Sequence, residues 1–453
     1  MPMKAHLSSL AGAFGTLMVW LFCCVPFAAS AQTKPPIVID LWVSQPKPLS
    51  EIIDRLAADF NNSQLRYRVV PTFKGNYPET LPMALEAAAA GKAPHILHAA
   101  EIATASLLMK PGVAKPVQQL LDETGVAIDV DDFLPVIRRY YSSRDGRLLA
   151  IPYLVGTGIL IYNKDVFRKA GLDPRKPPRT WDAVRKAAAQ IVAKRAAPCG
   201  LTTAWPGMLQ VEHLAALHGI PYATRGNGFE GLDAELLLDS PLAVRHLSAL
   251  VDWQREGLFK YGGRNFSGDD LFMSGECGMI TSASSLMRRA LHDARFDVGA
   301  GPLPYWRDQA GAPFNATIAG SAFWALTAPN RTAEEYRGVA EFFKFMTTPI
   351  RLAEYTATAW MLPTTRSSFE MTREMGWYEK YPYALIGVDQ ITRADAKKAQ
   401  IHGIRLGNMP KIRGMVEEKM EAAFAGAVTP REALEQARLR GNQFLREFER
   451  EAR

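Results

Sequence analysis

The stretch Leu148-Leu149-Ala150-Ile151-Pro152-Tyr153-Leu154-Val155-Gly156-Thr157-Gly158-Ile159-Leu160-Ile161-Tyr162 is apolar, broken by glycines, and set between two regions of alternating strand and helix patterns. Glycine gives the backbone freedom where a chain must pass from one packed body to another, so Pro152 to Gly158 reads as a crossover between lobes. Upstream, Ile37 to Val43 is a β-branched run, and Ser50 stands where it can cap a helix whose apolar positions Ile52, Ile53, Leu56, Ala57 and Phe60 keep the helical period. Tyr67 to Pro71 then reads as a strand, Glu79 to Ala90 as an Ala-rich helix, and His95 to His98 as another strand. Such alternation predicts an α/β sheet with helices on its faces.

Downstream, a return is expected at Asn315 to Ser321, feeding a strand at Ala322 to Leu326 and a helix at Ala333 to Met346. A third crossing is expected near Thr347-Thr348-Pro349, where proline ends that helix. The C-terminal region reads as helical, with Thr429-Pro430-Arg431-Glu432 forming a capping box. Three crossings divide the chain into an N-lobe, 32–153 completed by 318–346, and a C-lobe, 154–317 completed by 347–453. Two discontinuous lobes of this kind close on a ligand by a hinge.

Residues 1–31 carry Lys4 as their only charge, an apolar stretch from Leu10 to Phe27, and Ala29-Ser30-Ala31 before Gln32. That is the layout of a secretory signal peptide with cleavage before Gln32, and the small-residue site favours it over a membrane anchor. Leu21 and Phe22 ahead of Cys23 and Cys24 argue against lipid attachment. No later segment reads as a membrane span. The formal net charge of +7 comes from 53 basic and 46 acidic residues spread along the chain, without the basic stripe of a nucleic-acid surface. Cys199 and Cys277 permit one disulfide in an exported chain or two buried free thiols, and their spacing is not that of a metal site.

Catalytic signatures are missing: there is no nucleophile elbow, zinc-protease helix, Walker loop or dinucleotide fingerprint, and His213 and His218 are five residues apart, off the spacing of two ligands on one helix face. The sequence therefore predicts no enzyme, no metal and no cofactor.

The runs Phe73-Lys74-Gly75-Asn76-Tyr77, Asn227-Gly228-Phe229, Gly403-Ile404-Arg405-Leu406-Gly407-Asn408-Met409-Pro410-Lys411-Ile412-Arg413 and Arg440-Gly441-Asn442-Gln443-Phe444-Leu445-Arg446 set aromatics and guanidinium groups beside glycines. In order and spacing they resemble the periplasmic glycerol-3-phosphate-binding receptors of bacterial ABC importers, within the extracellular solute-binding family 1, over nearly the whole chain after the leader. The resemblance implies a two-lobed periplasmic-binding-protein fold with an interlobe ligand cleft. It also implies a monomer in the periplasm that takes a small-molecule ligand and delivers it to a membrane permease.

Site residues follow from the same resemblance. Tyr77 is expected to meet the glycerol moiety, Glu101 to accept hydrogen bonds from hydroxyls at a strand end, and Trp205 to stack on the glycerol carbons. Arg413 offers a planar fork for the phosphate, with Arg405 as second choice. Gly320 can bring its amide to an oxyanion, and Ser282 or Ser284 precedes a helix start at Leu286. Trp181, in a Pro-rich run common among sugar and polyol receptors, reads as structural. Two positions depart from the family: Gly156 stands where a phosphate-binding serine is expected, and Met361 where a tyrosine is. The ligand implied is sn-glycerol 3-phosphate or a glycerophosphodiester. The departures keep open a non-phosphorylated sugar or polyol; a secreted glycerophosphodiester hydrolase is a more remote alternative, and the missing nucleophile and metal motifs count against it.

Overall fold

The structure, a computed structural model, describes residues 35–47, 49–109, 112–309, 311–314, 316–393 and 403–452. The expected leader at 1–31 and the start of the expected return, Asn315, lie outside them. The described strands are β1 Ile37–Val43, β2 Tyr67–Phe73, β3 Ile96–Ala100, β4 Ala114–Lys115, β5 Ile151–Gly156, β6 Gly158–Asn163, β7 Cys199–Thr203, β8 Cys277–Ala283, β9 Val298–Pro302 and β10 Ala319–Leu326. They form two sheets, one in the order β2-β1-β3-β10-β4 with β5 also on β10, the other β7-β8-β6-β9. β1 runs parallel to β2 and β3, and the returning β10 runs antiparallel to its neighbours.

The crossover predicted from Gly156 and Gly158 is a change of sheet across a single residue. β5 ends in the first sheet at Gly156, and β6 opens in the second at Gly158. Buried Thr157 between them donates from Oγ1 to the carbonyl of Thr317 at 2.9 Å. Outgoing and returning chains therefore pass side by side. Each sheet buries its own core: Ile39, Leu41, Phe323, Trp324 and Phe342 in the first lobe; Trp181, Trp253 and Trp306 in the second. The helices Met409–Phe424 and Pro430–Ala452 pack on the second lobe through Met409, Ile412, Leu434 and Leu445. Thr429 Oγ1 accepts the amide of Glu432 at 3.2 Å, and the Glu432 carboxylate accepts the amide of Thr429 at 2.8 Å.

Three expectations change. The helix Leu49–Ser63 starts before Ser50, which is buried inside its first turn rather than capping it. The helix expected from Glu79 starts at Tyr77, because Glu79 reaches back to the amide of Asn76 at 2.8 Å and closes the turn two residues earlier. The third crossing comes later than Pro349. That proline ends one helix and occupies the first position of the next, Pro349–Ala359, whose Leu352, Tyr355 and Ala359 stay in the first core. Trp360 then joins an aromatic cluster with Trp377 and Tyr381 in the second lobe. Thr364 still accepts the amide of Leu134, and Gln390 finally binds Gly158 and Leu303, so the passage is spread over three short helices. Cys199 and Cys277 face each other at the starts of β7 and β8 and form a disulfide.

Candidate functional site

Glu101 follows β3 directly and is buried. Its Oε2 accepts the amide of Gly320, on β10, at 3.0 Å, and its Oε1 accepts from Arg413 Nη2 at 3.1 Å. Arg413 projects from the helix Met409–Phe424 of the second lobe, so this pair joins the lobes. The guanidinium is held more firmly from its own lobe: Nε and Nη2 donate to Glu212 Oε1 and Oε2, each at 2.7 Å. Burial works against the Arg413 charge, but Glu212 and Glu101 overcome it and hold the group protonated. The Glu212 carboxyl is pushed above its ordinary range by burial, although Arg413 pulls it down.

Gly320 is placed by close approach. A Cβ there would lie 1.8 Å from the carbonyl oxygen of Leu154, so the site admits no side chain. Its neighbour Ser321 bonds the buried imidazole of His98 at 2.6 Å and also the hydroxyl of Tyr77, which in turn accepts from Gln45 Nε2 at 2.5 Å. Burial lowers His98 to about 3, so it is neutral. Tyr77, Ser321, Gly320, Glu101, Arg413 and Glu212 thus form one polar chain across the lobes. The Gly320 amide, expected to face a ligand oxyanion, faces the Glu101 carboxylate instead.

Trp205 comes from the turn after β7, in a left-handed conformation with φ 46°, an unfavourable state for a side-chain-bearing residue that typifies sites where the surroundings fix the backbone. Its ring meets Phe266 edge-on at 4.6 Å. Two residues on, a Cβ at Gly207 would lie 3.0 Å from Glu417 Cγ and 3.3 Å from Arg413 Cγ, so glycine lets this turn rest on the Arg413 helix. The π-helical turn Met208–Glu212 follows and brings in Glu212.

The two departures from the family meet at one corner. A Cβ built at Gly156 would stand 3.2 Å from Ser284 Oγ and 3.9 Å from Met361 Sδ. Gly156 pairs with Ala319, next to Gly320, so this corner adjoins the polar chain. Ser284 Oγ accepts a long bond, 3.4 Å, from the amide of Thr157. Ser282, the other serine considered, is turned into the second lobe and donates to Asp269 Oδ1 at 2.9 Å.

Arg405, the second-choice cation, is consumed by structure. It donates to the carbonyls of Tyr140 and Ser142, lies 4.1 Å over the Phe229 ring, and is lowered by burial to about 10. His213 and His218 are buried, and His213 is lowered by burial to about 3. Trp181 is core. Glu212 was not foreseen from sequence; the only signal was a carboxylate inside the mostly apolar run Met208 to Leu217. A cavity of about 20 Å³ beside Arg413, lined also by Tyr140, Tyr222 and Asn227, has room for about one water. Among the described residues no cluster of His, Cys, Asp and Glu could hold a metal ion, and no helix is long and apolar enough to cross a membrane.

Residues 44–350 match the bacterial extracellular solute-binding proteins, and the chain belongs to that family. It is 38% identical over 427 residues to the sn-glycerol-3-phosphate-binding periplasmic protein UgpB of Escherichia coli K12, covering 93% of this chain and 96% of that protein. The UgpB of Shigella flexneri serotype 5b gives the same figures of 38% identity, 93% and 96%. Among solved structures, UgpB from Mycobacterium tuberculosis in complex with glycerophosphocholine superposes with a TM-score of 0.74 at 20% identity, covering 92% of this chain and 99% of that one. The cyclic alpha-maltosyl-1,6-maltose binding protein of Arthrobacter globiformis gives 0.72 at 20% identity, over 91% and 100%. The fold is therefore that of the two-lobed periplasmic binding proteins, and this chain is a periplasmic solute-binding protein.

Proposed function

We propose that this protein is the receptor of an ABC importer for a glycerol phosphate, sn-glycerol 3-phosphate or a glycerophosphodiester, which it captures between its lobes and hands to the membrane permease without chemical change, acting as a monomer. The observation that carries the reading is the gathering of Tyr77, Glu101, Gly320 and Arg413, drawn from segments more than 300 residues apart, into one interlobe polar chain. The similarity to UgpB proteins supports the same ligand class.

In this reading Tyr77 and Trp205 pack on the glycerol carbons, and Glu101 exchanges its bond to Arg413 for the glycerol hydroxyls. The phosphate lies toward Arg413, Ser284 and the Gly320 amide. Gly156 and Met361 themselves offer no side-chain donor to the adjoining corner, which presents a thioether beside the Ser284 hydroxyl and so favours a phosphodiester over a monoester. The same corner, with the Arg413 edge covered by Glu212, favours as second reading a non-phosphorylated polyol or sugar.

Titration calorimetry with sn-glycerol 3-phosphate, sn-glycero-3-phosphocholine, glycerol and maltose decides between them. Gly156 has no positive φ, so Gly156→Ser fits the backbone, with Ser284 Oγ yielding a few tenths of an ångström. Gly156→Ser with Met361→Tyr adds two neutral donors to a charged acceptor and should tighten sn-glycerol 3-phosphate by about two orders of magnitude. Binding of maltose or glycerol by the native protein, with no response to either phosphate, refutes the glycerol-phosphate reading.

A further inference from the structure

The 53 basic and 46 acidic residues occur along the whole chain, but their imbalance does not. Residues 164–195 carry ten lysines and arginines against Asp165, Asp173 and Asp182. The rest of the chain is balanced, with 43 basic and 43 acidic residues, so this one segment holds the entire formal charge of +7.

The fold gathers that segment onto one face of the second lobe. It forms the helix Lys164–Ala170, a Pro-rich loop and the helix Trp181–Ala193. A Cβ at Gly278, on β8, would lie 2.9 Å from Val166 of the first helix and 2.9 Å from Ile191 of the second, so both helices pack on the same side of the second sheet. Gln190 Nε2 ties them together, donating to the carbonyl of Ala170 at 2.8 Å. Val166, Phe167, Val184, Ala188 and Ile191 are their buried sides, which turns the basic side chains outward. Neighbouring elements add two acids: Asp297 reaches Lys164 at 3.3 Å and Arg168 at 2.7 Å, and Glu256 reaches Arg185 at 2.9 Å. Ten basic groups thus stand against five acidic ones. Lys169, Arg179, Lys186, Lys194 and Arg195 are exposed and have no carboxylate partner among the described residues.

Folding does not call for this concentration. Cations suit the C-terminal end of a helix, which accounts for Lys169 and Lys194. Arg175, Lys176 and Arg179 instead precede a helix N-terminus, where the dipole disfavours them, and Arg195 holds a left-handed backbone, φ 50°, that glycine adopts at less cost. No large apolar side chain is exposed within 164–195. A stable protein interface needs a desolvated apolar centre, and a small anion needs a concave site with convergent donors. Charge laid over two helices and a loop matches a partner whose own charge is spread in a plane, the phosphates of an anionic bilayer. We propose that this face is a docking surface for anionic phospholipid headgroups, holding the receptor reversibly in the layer of periplasm beside the membrane that carries its permease. Each basic group near such a surface strengthens binding about fivefold, and the attraction fades within roughly 8–10 Å at physiological salt. The inference is independent of which solute the cleft takes.

The test is co-sedimentation of the exported protein with vesicles of phosphatidylglycerol and phosphatidylcholine, against vesicles of phosphatidylcholine alone. Native protein should bind the acidic vesicles at low ionic strength, ignore the neutral ones, and be released as added salt shortens the screening length. Arg179→Glu, Lys186→Glu and Lys194→Glu together leave seven basic groups against eight acidic ones on the face and should weaken binding to acidic vesicles at least about tenfold. Lys92→Glu, Lys344→Glu and Arg431→Glu, at exposed positions outside the segment, make the same change in net charge and should weaken it less than about threefold. Should the first triple variant fold poorly, glutamine at its three positions removes the charges without reversing them and should still weaken binding at least about fivefold. Native protein that ignores acidic vesicles overturns the proposal and leaves the face to an acidic protein partner. Undiminished binding by the first triple variant, or equal loss in both, also overturns it, the latter because net charge rather than this face would then be responsible.

Discussion

Replacing Arg413 with methionine isolates what the guanidinium does for the fold before any ligand is present. The variant keeps an unbranched apolar stem and removes the cation from between Glu212 and Glu101, whose side chains are 6% and 9% exposed. Breaking a buried pair by deleting one partner costs about 3–5 kcal/mol, because a desolvated charge is left without compensation. Glu212 already has a raised folded-state pKa, driven by burial with Arg413 opposing it, so removing Arg413 moves it further up. A carboxyl whose folded pKa exceeds its unfolded one is favourable below the unfolded value, and that advantage is lost as pH rises through the folded value. The deficit of Arg413→Met relative to native protein should therefore be smaller at pH 5 than at pH 8, growing as the pH rises. Urea unfolding at both pH values measures it, and adding Glu212→Gln to the variant should restore more than half the loss at pH 8. A deficit equal at both pH values, or no rescue by Glu212→Gln, would refute the assignment of Arg413 and Glu212 as a buried charge pair.

Much of the fold is legible locally and much of the site is not, for one physical reason. Ile37–Val43 is a strand because β-branched residues suit a pleated surface, and the sheet change at Gly156-Thr157-Gly158 shows as glycines in an apolar run. Thr429 and Glu432 cap a helix through a contact three residues long. Pro349 follows the end of one helix without marking a lobe boundary, because a proline that cannot continue one helix fits the first turn of the next. The Glu101–Arg413 pair spans 312 residues and the Arg413–Glu212 pair 201, so no local pattern announces either. Resemblance pointed to Arg413 and Glu101 as separate ligand contacts; the structure adds that they contact each other, and that Glu212 stands behind both. Ser282 and Ser284 lie two apart on and after a strand, yet Asp269 from a neighbouring helix claims one and leaves the other beside the cleft corner.

Other outcomes follow from the same geometry. Reducing the Cys199–Cys277 bond, or replacing both with serine, opens a loop of 78 residues and should lower stability by about 4 kcal/mol, read as an earlier urea midpoint. If the chain hinges at Gly156 to Gly158 and at the returning Thr317, a true ligand should lower the radius of gyration in solution scattering, and an unchanged profile at saturation counts against either the hinge or the ligand tried. Asp269, buried and accepting from Ser282, is raised by burial from 3.8 to about 6. Its folded form thus holds a proton that its unfolded form has lost, so the residue favours folding below pH 4 and becomes a liability as pH rises past 6. Asp269→Asn keeps the acceptor for Ser282 and removes the titration; it should be more stable than native protein at pH 8 by roughly 2–3 kcal/mol, with no advantage near pH 4. Equal stability of the two proteins at pH 8 would place Asp269 in contact with solvent or with an opposing charge when the lobes move, and would rule out a static buried acid.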